Sequence, residues 1–365
     1  MAHNTFPPLE LSDAMKKQVS ITPPTPEVAP PQTFDHLFTF PSGDVQVTVV
    51  YKGCQIVGKV VQHVLCLASP VWQKFLFPPW GPNSENNGDK NSNNTSRSPN
   101  TGAGAGETMK ELDFSEDDGG ALLLLLRIAH MQFRKVPSKL RTDELYQLAL
   151  LCEQYDCHSL VQPWVHGWLN SLSAYEVNSP SLLYISWAFG NEVLFSSVAQ
   201  EMVKHCEVGD DGQILRLLGN DIEVVLPDRI SESILTVRAK LIDDILKIPY
   251  DHLRQYLGRS SPRCQVGIAD CDSIGYGSLV LSLDGAGFWP EKTHANILYA
   301  PNELYRRMGN VRLHLLPNAS HDKCSPRVFV LPILACLKEI PDPTLDCHRR
   351  HIERRAKELA FEKDE

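Results

Sequence analysis

The sequence lacks an apolar run long enough to cross a membrane. Its longest one, ALLLLL at 121–126, is far shorter than the ~18 residues that a spanning helix needs. The amino-terminal residues also lack a basic-then-apolar signal pattern, and they carry proline and acidic side chains early. We therefore expect a protein of the cytoplasm, the nucleus or both, without membrane partners, whose ten cysteines are mostly reduced.

Positive charge is also scarce relative to negative charge. The chain has 35 lysines and arginines against 44 aspartates and glutamates, which gives a formal net charge of −9. That balance disfavours non-specific binding to nucleic acid. Neither a helix-turn-helix pattern nor a two-cysteine, two-histidine finger spacing is present. We therefore do not expect nucleic acid as a partner.

Catalytic motifs are missing as well. The segment GYGSL at 275–279 does not place a serine at the centre of a G-x-S-x-G elbow. Neighbouring carboxylates such as Asp243 and Asp244 diverge on a helix and do not converge on a substrate. Cys157 and His158 are adjacent too, in a turn for which we predict a structural role. These observations predict a protein that is not an enzyme.

The chain does contain a segment in which apolar and polar residues alternate, as in a strand. In DVQVTVVY, Val45, Val47 and Val49 share one face, which predicts a half-buried strand. A turn at Lys52 and Gly53 leads to CQIVGKV, the expected partner strand.

Two short helices are expected next. The first is an apolar helix at 64–68. Ser69 is suited to cap a second helix, and Pro70 fits its first position, where no N–H is needed. Trp72, Phe75 and Leu76 then fall on one face of that helix.

Helical patterns continue further along the chain. Ser115 with Asp118 resembles a capping box ahead of ALLLLLRIAHM, and Thr142 is expected to cap DELYQLALLCEQY. After a turn at 155–157, Pro163 is expected to kink the next helix or to mark its first turn.

The succession of strand, strand, helix, LASPVW, ELDFSEDD, helix and TDELYQLALLCEQYDCHSL resembles the BTB/POZ fold. The similarity covers residues 34–170 and is greatest to BTB proteins of filamentous fungi, whose comparable segments run from an acidic cap to a YDC turn. Two departures stand out. Val61 occupies the position where the animal pattern usually has histidine, four residues before Leu65, and an insertion at 82–107 replaces a short connection.

This resemblance implies an interaction module without chemistry of its own. It implies homodimerisation near residues 45–49 and the 61–77 helices and, in some members, bridging to a cullin-type ubiquitin ligase. Phe34, Leu37, Phe38 and Phe40 are expected to add apolar contact surface beside the first strand.

The predicted fold class is α+β, with a BTB/POZ-like domain made of a small sheet capped by helices. An all-helical extension and a loop-rich region with the Cys and His residues are expected to follow. The predicted segments are a disordered proline-rich arm at 1–33, the BTB-like domain at 34–170 with a disordered insertion at 82–107, the helical extension at 171–248 ending before Pro249, the Cys/His-containing region at 249–340 and a charged tail helix at 341–365.

A candidate zinc site lies in the carboxy-terminal half. Cys264 and Cys271 occur in RCQVGIADCD, and His321 and Cys324 in SHDKCSP. Three thiolates and one imidazole form a familiar structural zinc set, and fungal BTB proteins share a similar arrangement. The spacing of the first pair is longer than usual, so buried thiols with a surface histidine are the alternative. His314, His294 or Cys347 are candidates to replace one ligand.

The tail CHRRHIERRAKELAFEKDE has two interpretations. Its arginines suit a nuclear-import or nucleic-acid patch, whereas the interleaved glutamates favour a solvated, salt-bridged helix. The function predicted overall is an adaptor that self-associates and recruits protein partners. A transcription-linked nuclear regulator with a structural zinc site is the alternative.

Overall fold

A computed structural model describes residues 34–78, 109–172, 179–217 and 220–360. The predicted disordered arm at 1–33 and the insertion at 82–107 lie outside the described residues. The described chain is mostly helical and contains two three-stranded sheets. This architecture confirms the predicted α+β class.

The first sheet has the order β2-β1-β3. Its strands are β1 (Val45–Tyr51), β2 (Cys54–Val60) and β3 (Lys110–Phe114). β1 pairs with β2 in antiparallel register and with β3 in parallel register. Lys52 and Gly53 both have positive φ and form the predicted turn, and Val45, Val47 and Val49 are fully buried.

Within the described residues up to 172, six helices lie around this sheet. They are α1 (Asp35–Phe38), α2 (Gln62–Ala68), α3 (Pro70–Leu76), α4 (Gly119–Ala129), α5 (Thr142–Tyr155) and α6 (His158–Asn170). The leucine run of α4 is buried, and this helix contacts β1, α1, α2, α5 and α6. A small sheet covered by helices, as predicted for this part of the chain, is therefore present.

The cap at Ser69 is confirmed, whereas two other caps were assigned wrongly. Ser69 Oγ accepts hydrogen bonds from the N–H groups of Val71 and Trp72, at 3.2 and 3.0 Å. Asp118, not Ser115, caps α4. Thr142 is the first residue of α5, not its cap. Both errors are shifts of a few residues, because several polar side chains near each helix start are able to accept the free N–H groups.

Pro163 lies in the second turn of α6, past the first turn. Proline removes one helical hydrogen bond there, and Val161, Val165 and Trp168 hold the helix by their burial.

The expected all-helical extension is wrong in one respect. Two helices, α7 (Ser181–Ala188) and α8 (Glu192–His205), lead into a second sheet. Its strands are β4 (Cys206–Val208), β5 (Ile214–Leu217) and β6 (Asn220–Asp221). A tight turn closed by the Gly212 N–H and the Gly209 carbonyl reverses the chain between β4 and β5, and Gly212 has the positive φ that this turn requires.

The next helix also departs from its predicted end. α9 (Ile230–Arg254) continues through Pro249, which was expected to stop it. Proline costs the helix one hydrogen bond at this point. Tyr250 and Leu253 are buried beyond it, and their packing holds the last turn in place.

Four further helices complete the described chain. They are α10 (Ala269–Gly285), α11 (Pro301–Met308), α12 (Val330–Lys338) and α13 (Asp346–Glu358). Most of the buried hydrophobic side chains, from Phe38 to Ile352, form one continuous cluster. In the part of the chain that the structure describes, every helix is too short or too polar to pass through a bilayer.

The tail helix α13 is not surrounded by solvent. Ile352, His348 and Arg355 are buried, and the helix packs against α7 and α8. Gly190 permits this approach, because a Cβ there would meet the backbone of Ala356 at 2.4 Å. The outer face carries exposed ion pairs such as Lys357 with Glu353, so the predicted salt-bridged helix is present with one face buried.

Candidate metal centre

The four predicted ligands come from two loops and one helix start. Cys264 opens a turn in which the Gly267 N–H donates to its carbonyl at 2.9 Å, and Gly267 takes the positive φ of that turn. Cys271 lies in the first turn of α10. His321 ends a single-turn 3₁₀ helix, and Cys324 follows with its N–H bonded to the His321 carbonyl.

The ligand atoms of these residues converge. One ligand atom from each of the four residues lies within 4.8 Å of the other three. Cys264 Sγ lies 3.7 Å from Cys324 Sγ and 3.3 Å from His321 Nδ1, and Cys324 Sγ lies 3.7 Å from the same nitrogen. The predicted convergence of segments about fifty residues apart is thereby confirmed.

These distances match the edges of a tetrahedral metal site. Zinc bonds of about 2.3 Å to sulfur and about 2.0 Å to nitrogen give edges of about 3.8 Å between sulfurs and about 3.6 Å between sulfur and nitrogen. The observed separations fall close to both values. A disulfide between Cys264 and Cys324 does not exist at 3.7 Å, since an S–S bond is about 2.05 Å long.

All four side chains are buried. Cys271 and His321 are only 1% and 2% exposed, and Cys264 and Cys324 are nearly as enclosed. The alternative of buried thiols with a surface histidine is therefore wrong for His321. Since four protein ligands complete a tetrahedron, such a site has no open position for water or substrate.

Backbone N–H groups support ligation by sulfur. Although desolvation raises the pKa of the Cys264 thiol, hydrogen bonds from the N–H groups of Ile268 and Val266 and from neighbouring thiols lower it to about 7. Desolvation raises the pKa of Cys271 to about 11, with the nearby Cys264 acting in the same direction. Three thiols this close do not all ionise unless a cation neutralises them. A divalent metal ion supplies that positive charge.

The three candidate replacement ligands are not part of this cluster. In the part of the chain that the structure covers, the group of Cys, His, Asp and Glu residues able to hold a metal ion consists of the four original ones. His294 instead places Nδ1 2.6 Å from Asp243 Oδ2. His314 is exposed, and Cys347 lies on α13.

The residues that surround the ligands were missed in the sequence. Arg263 and Ser325, the neighbours of Cys264 and Cys324, join His252 and Tyr256 in a polar network. Asp272, which follows Cys271, accepts the backbone N–H of Arg263. The available signal was their adjacency to the ligands, because residues next to metal ligands often form the outer hydrogen-bonding layer.

Comparison of the chain with models of known protein families, with curated proteins and with solved structures gives no match. The fold and the site therefore define an α+β protein with a buried cluster of three cysteines and one histidine that can hold a metal ion. The BTB/POZ resemblance of residues 34–170 stays a prediction.

Proposed function

We propose that this protein is an adaptor for protein–protein interactions, with a BTB/POZ-like amino-terminal half that self-associates. Its carboxy-terminal half is folded around one structural zinc ion. The observation that carries the zinc assignment is the convergence of the ligand atoms of Cys264, Cys271, His321 and Cys324, which all lie within 4.8 Å of one another. Sulfur and imidazole ligands suit Zn²⁺, whereas Mg²⁺ and Ca²⁺ prefer oxygen.

The adaptor assignment is supported by the resemblance and by three exposed apolar side chains on its helices. Leu67, Phe75 and Phe77, on α2 and at the end of α3, are 89%, 53% and 50% exposed. Apolar surface of this kind is typical of sites where another protein binds. Phe38 and Phe40, expected to contribute contact surface, are instead buried in the core. The proposed dimer contact therefore lies on α2 and α3, and bridging to a cullin-type ligase rests on the resemblance alone.

Light scattering on the full chain tests self-association. We expect a dimer at high micromolar concentration that Leu67→Asp converts to monomer. Leu331→Asp is the matched control, because Leu331 is 77% exposed on α12, away from the proposed contact. A strictly monomeric wild-type protein would overturn the dimer, and a dimer that tolerates Leu67→Asp would exclude this surface.

Elemental analysis of purified protein tests the zinc site. We expect one zinc ion per chain, lost in Cys264→Ser and Cys324→Ser. The control is Cys54→Ser, since Cys54 is exposed on β2 and lies outside the cluster. Wild-type protein without stoichiometric zinc would overturn this part of the proposal.

Ion pairing on α13 favours the adaptor over the nucleic-acid alternative. Arg349 contacts Glu192 and Asp342, and Arg355 contacts Glu153, so these cations are already neutralised. Nucleic-acid binding needs cations available for phosphates. We expect no salt-dependent retention on DNA, and retention at low salt that fades as salt rises would favour the regulator.

A further inference from the structure

A polar junction beside the metal ligands ties their segments together. Arg263 Nη1 lies 2.9 Å from His252 Nε2 and 3.2 Å from Ser325 Oγ. Ser325 Oγ also lies 2.7 Å from the hydroxyl of Tyr256 and 3.3 Å from His252 Nε2. His252 belongs to α9, and Tyr256 follows its end. The junction therefore joins the Cys264 segment, the Cys324 segment and α9.

The third ligand segment meets the same junction. Gly275 lies one turn after Cys271 on α10, and a Cβ built there would lie 2.8 Å from the Tyr256 hydroxyl. Glycine thus leaves the room that the hydroxyl occupies. The segments carrying all three cysteines meet around the side chains of Arg263, Ser325 and Tyr256.

The hydrogen-bonding roles in the junction follow from its chemistry. A guanidinium only donates, so His252 Nε2 accepts and the imidazole is neutral. Desolvation and the charge of Arg263 lower the pKa of His252 to about 4, in agreement with a neutral ring. His252 and Ser325 are both buried. Breaking this network would leave buried polar atoms without partners.

The positively charged side chain of Arg263 has hydrogen-bond partners that carry no charge. Its guanidinium contacts His252 and Ser325 and lies over the ring of Tyr256, and within the described ranges it forms no ion pair with a carboxylate. A zinc ion with three thiolates and a neutral imidazole carries a net charge of −1. A buried charge of that kind is stable only when a countercharge or hydrogen bonds compensate it.

We propose that Arg263 is a positioning residue of the metal centre, which holds the Cys264 and Cys324 segments together and supplies the countercharge of the loaded site. This inference rests on the proposed zinc site and adds to it the residue that organises it. Arg263 is not one of the four ligands. It acts through Cys264, which it precedes in the chain, and through Cys324, whose neighbour Ser325 it contacts.

The experiment measures the Co²⁺ affinity of the full-length protein by competition with a chelator. Tetrahedral Co²⁺ with thiolate ligands gives intense d–d absorption, which reports the geometry directly. We expect Arg263→Gln to weaken Co²⁺ binding by about 10- to 100-fold, the range found for partners of metal ligands. Arg263→Lys keeps the charge and should recover most of that loss. Arg254→Gln is the control, because Arg254 ends α9 and within the described residues forms only exposed pairs, with Asp251 and Glu291, neither of which is next to a ligand.

The possible results distinguish the role of Arg263 from the proposed metal site on which it depends. Wild-type protein that takes up no Co²⁺ would overturn the metal site itself. Wild-type protein that binds Co²⁺ while Arg263→Gln binds it equally well would overturn only the role of Arg263. Arg263→Lys as weak as Arg263→Gln would overturn the countercharge, since the positive charge alone would then not support binding. Should Arg263→Gln fail to fold, Ser325→Ala keeps the charge and removes the junction's central hydroxyl, and wild-type affinity in that variant would also overturn the role.

Discussion

The guanidinium of Arg355 forms a two-pronged ion pair with the carboxylate of Glu153, from which it is separated by 202 residues. The Nε–Oε1 and Nη2–Oε2 distances are 3.1 and 3.0 Å, and the two side chains are only 10% and 17% exposed. His158 Nε2 lies 3.1 Å from the same carboxylate. The pair fastens α13 to α5 in the amino-terminal half.

Replacing Arg355 with methionine should therefore destabilise the protein strongly. The change leaves the Glu153 carboxylate without its main partner in a largely buried place, and loss of one member of a buried pair costs about 3 kcal/mol or more. Chemical denaturation measures the free energy of unfolding. Lys357→Gln, which breaks an exposed pair on the same helix, should cost less than about 0.5 kcal/mol. Equal losses in the two variants would show that burial of the Arg355 pair has no energetic weight.

Acid should weaken the same contact. Although burial raises the pKa of Glu153, its contacts with His158, His351 and Arg355 hold that pKa well below its ordinary value of 4.5. A carboxyl group with a lowered pKa in the folded state stabilises the fold above its unfolded pKa. It loses that contribution as the pH falls toward the folded pKa. The free energy of unfolding should thus decrease below a pH of about 4.5.

The variant Glu153→Gln isolates the contribution of this carboxyl group from those of the other two carboxylates beside Arg355, Asp156 and Glu358. The difference in unfolding free energy between wild type and variant should shrink as acid is added. A difference that stays constant between neutral pH and the acid range would contradict the assignment.

Removal of the metal should loosen one half of the molecule. Ligand binding and local folding are coupled at structural zinc sites, so a strong chelator or Cys271→Ser should raise amide hydrogen exchange across residues 250–340. Amides of β1 and β2 should keep their protection. Cys54→Ser should leave both regions unchanged in the absence of chelator. Exchange that rises equally in the two halves, or in neither, is incompatible with a structural role confined to this region.

Loss of the Ser69 hydroxyl should destabilise the junction of α2 and α3. Besides capping α3, this fully buried hydroxyl donates to the Tyr155 carbonyl at 2.5 Å. Ser69→Ala removes the cap and leaves a buried carbonyl unpaired, for an expected loss of about 1–3 kcal/mol. Ser273→Ala is the control, because its exposed hydroxyl bonds only within its own helix. Thermal unfolding that is unchanged by Ser69→Ala would contradict this account.

Local patterns predicted the parts of the fold that depend on neighbouring residues. The alternation of Val45, Val47 and Val49 gave a strand with the correct buried face, and Ser69 with Pro70 gave the start of a helix. The four candidate ligands could also be predicted, because cysteine and histidine are distinctive metal ligands even when the spacing between them is long. Their ligand atoms do converge in the structure.

The features that were not predicted depend on tertiary contacts, which no local sequence pattern encodes. Proline reliably ends a helix only where no tertiary packing holds the residues beyond it. Such packing is present after Pro249, so α9 continues. The sheet at 206–221 consists of strands too short to show clear alternation. Arg355 and Glu153 are ordinary charged residues in the sequence, and their pairing depends on how two distant helices meet.

The docking of α13 also sets an order of events during synthesis on the ribosome. The chain that forms α5 emerges long before the arginine that neutralises Glu153 is made. At about 5–20 residues per second, the intervening 202 residues take roughly 10–40 s to translate. Throughout that interval Glu153 lacks its arginine partner, and the side of α7 that α13 packs against is uncovered. This face of the nascent chain is therefore open to association with other chains until α13 arrives.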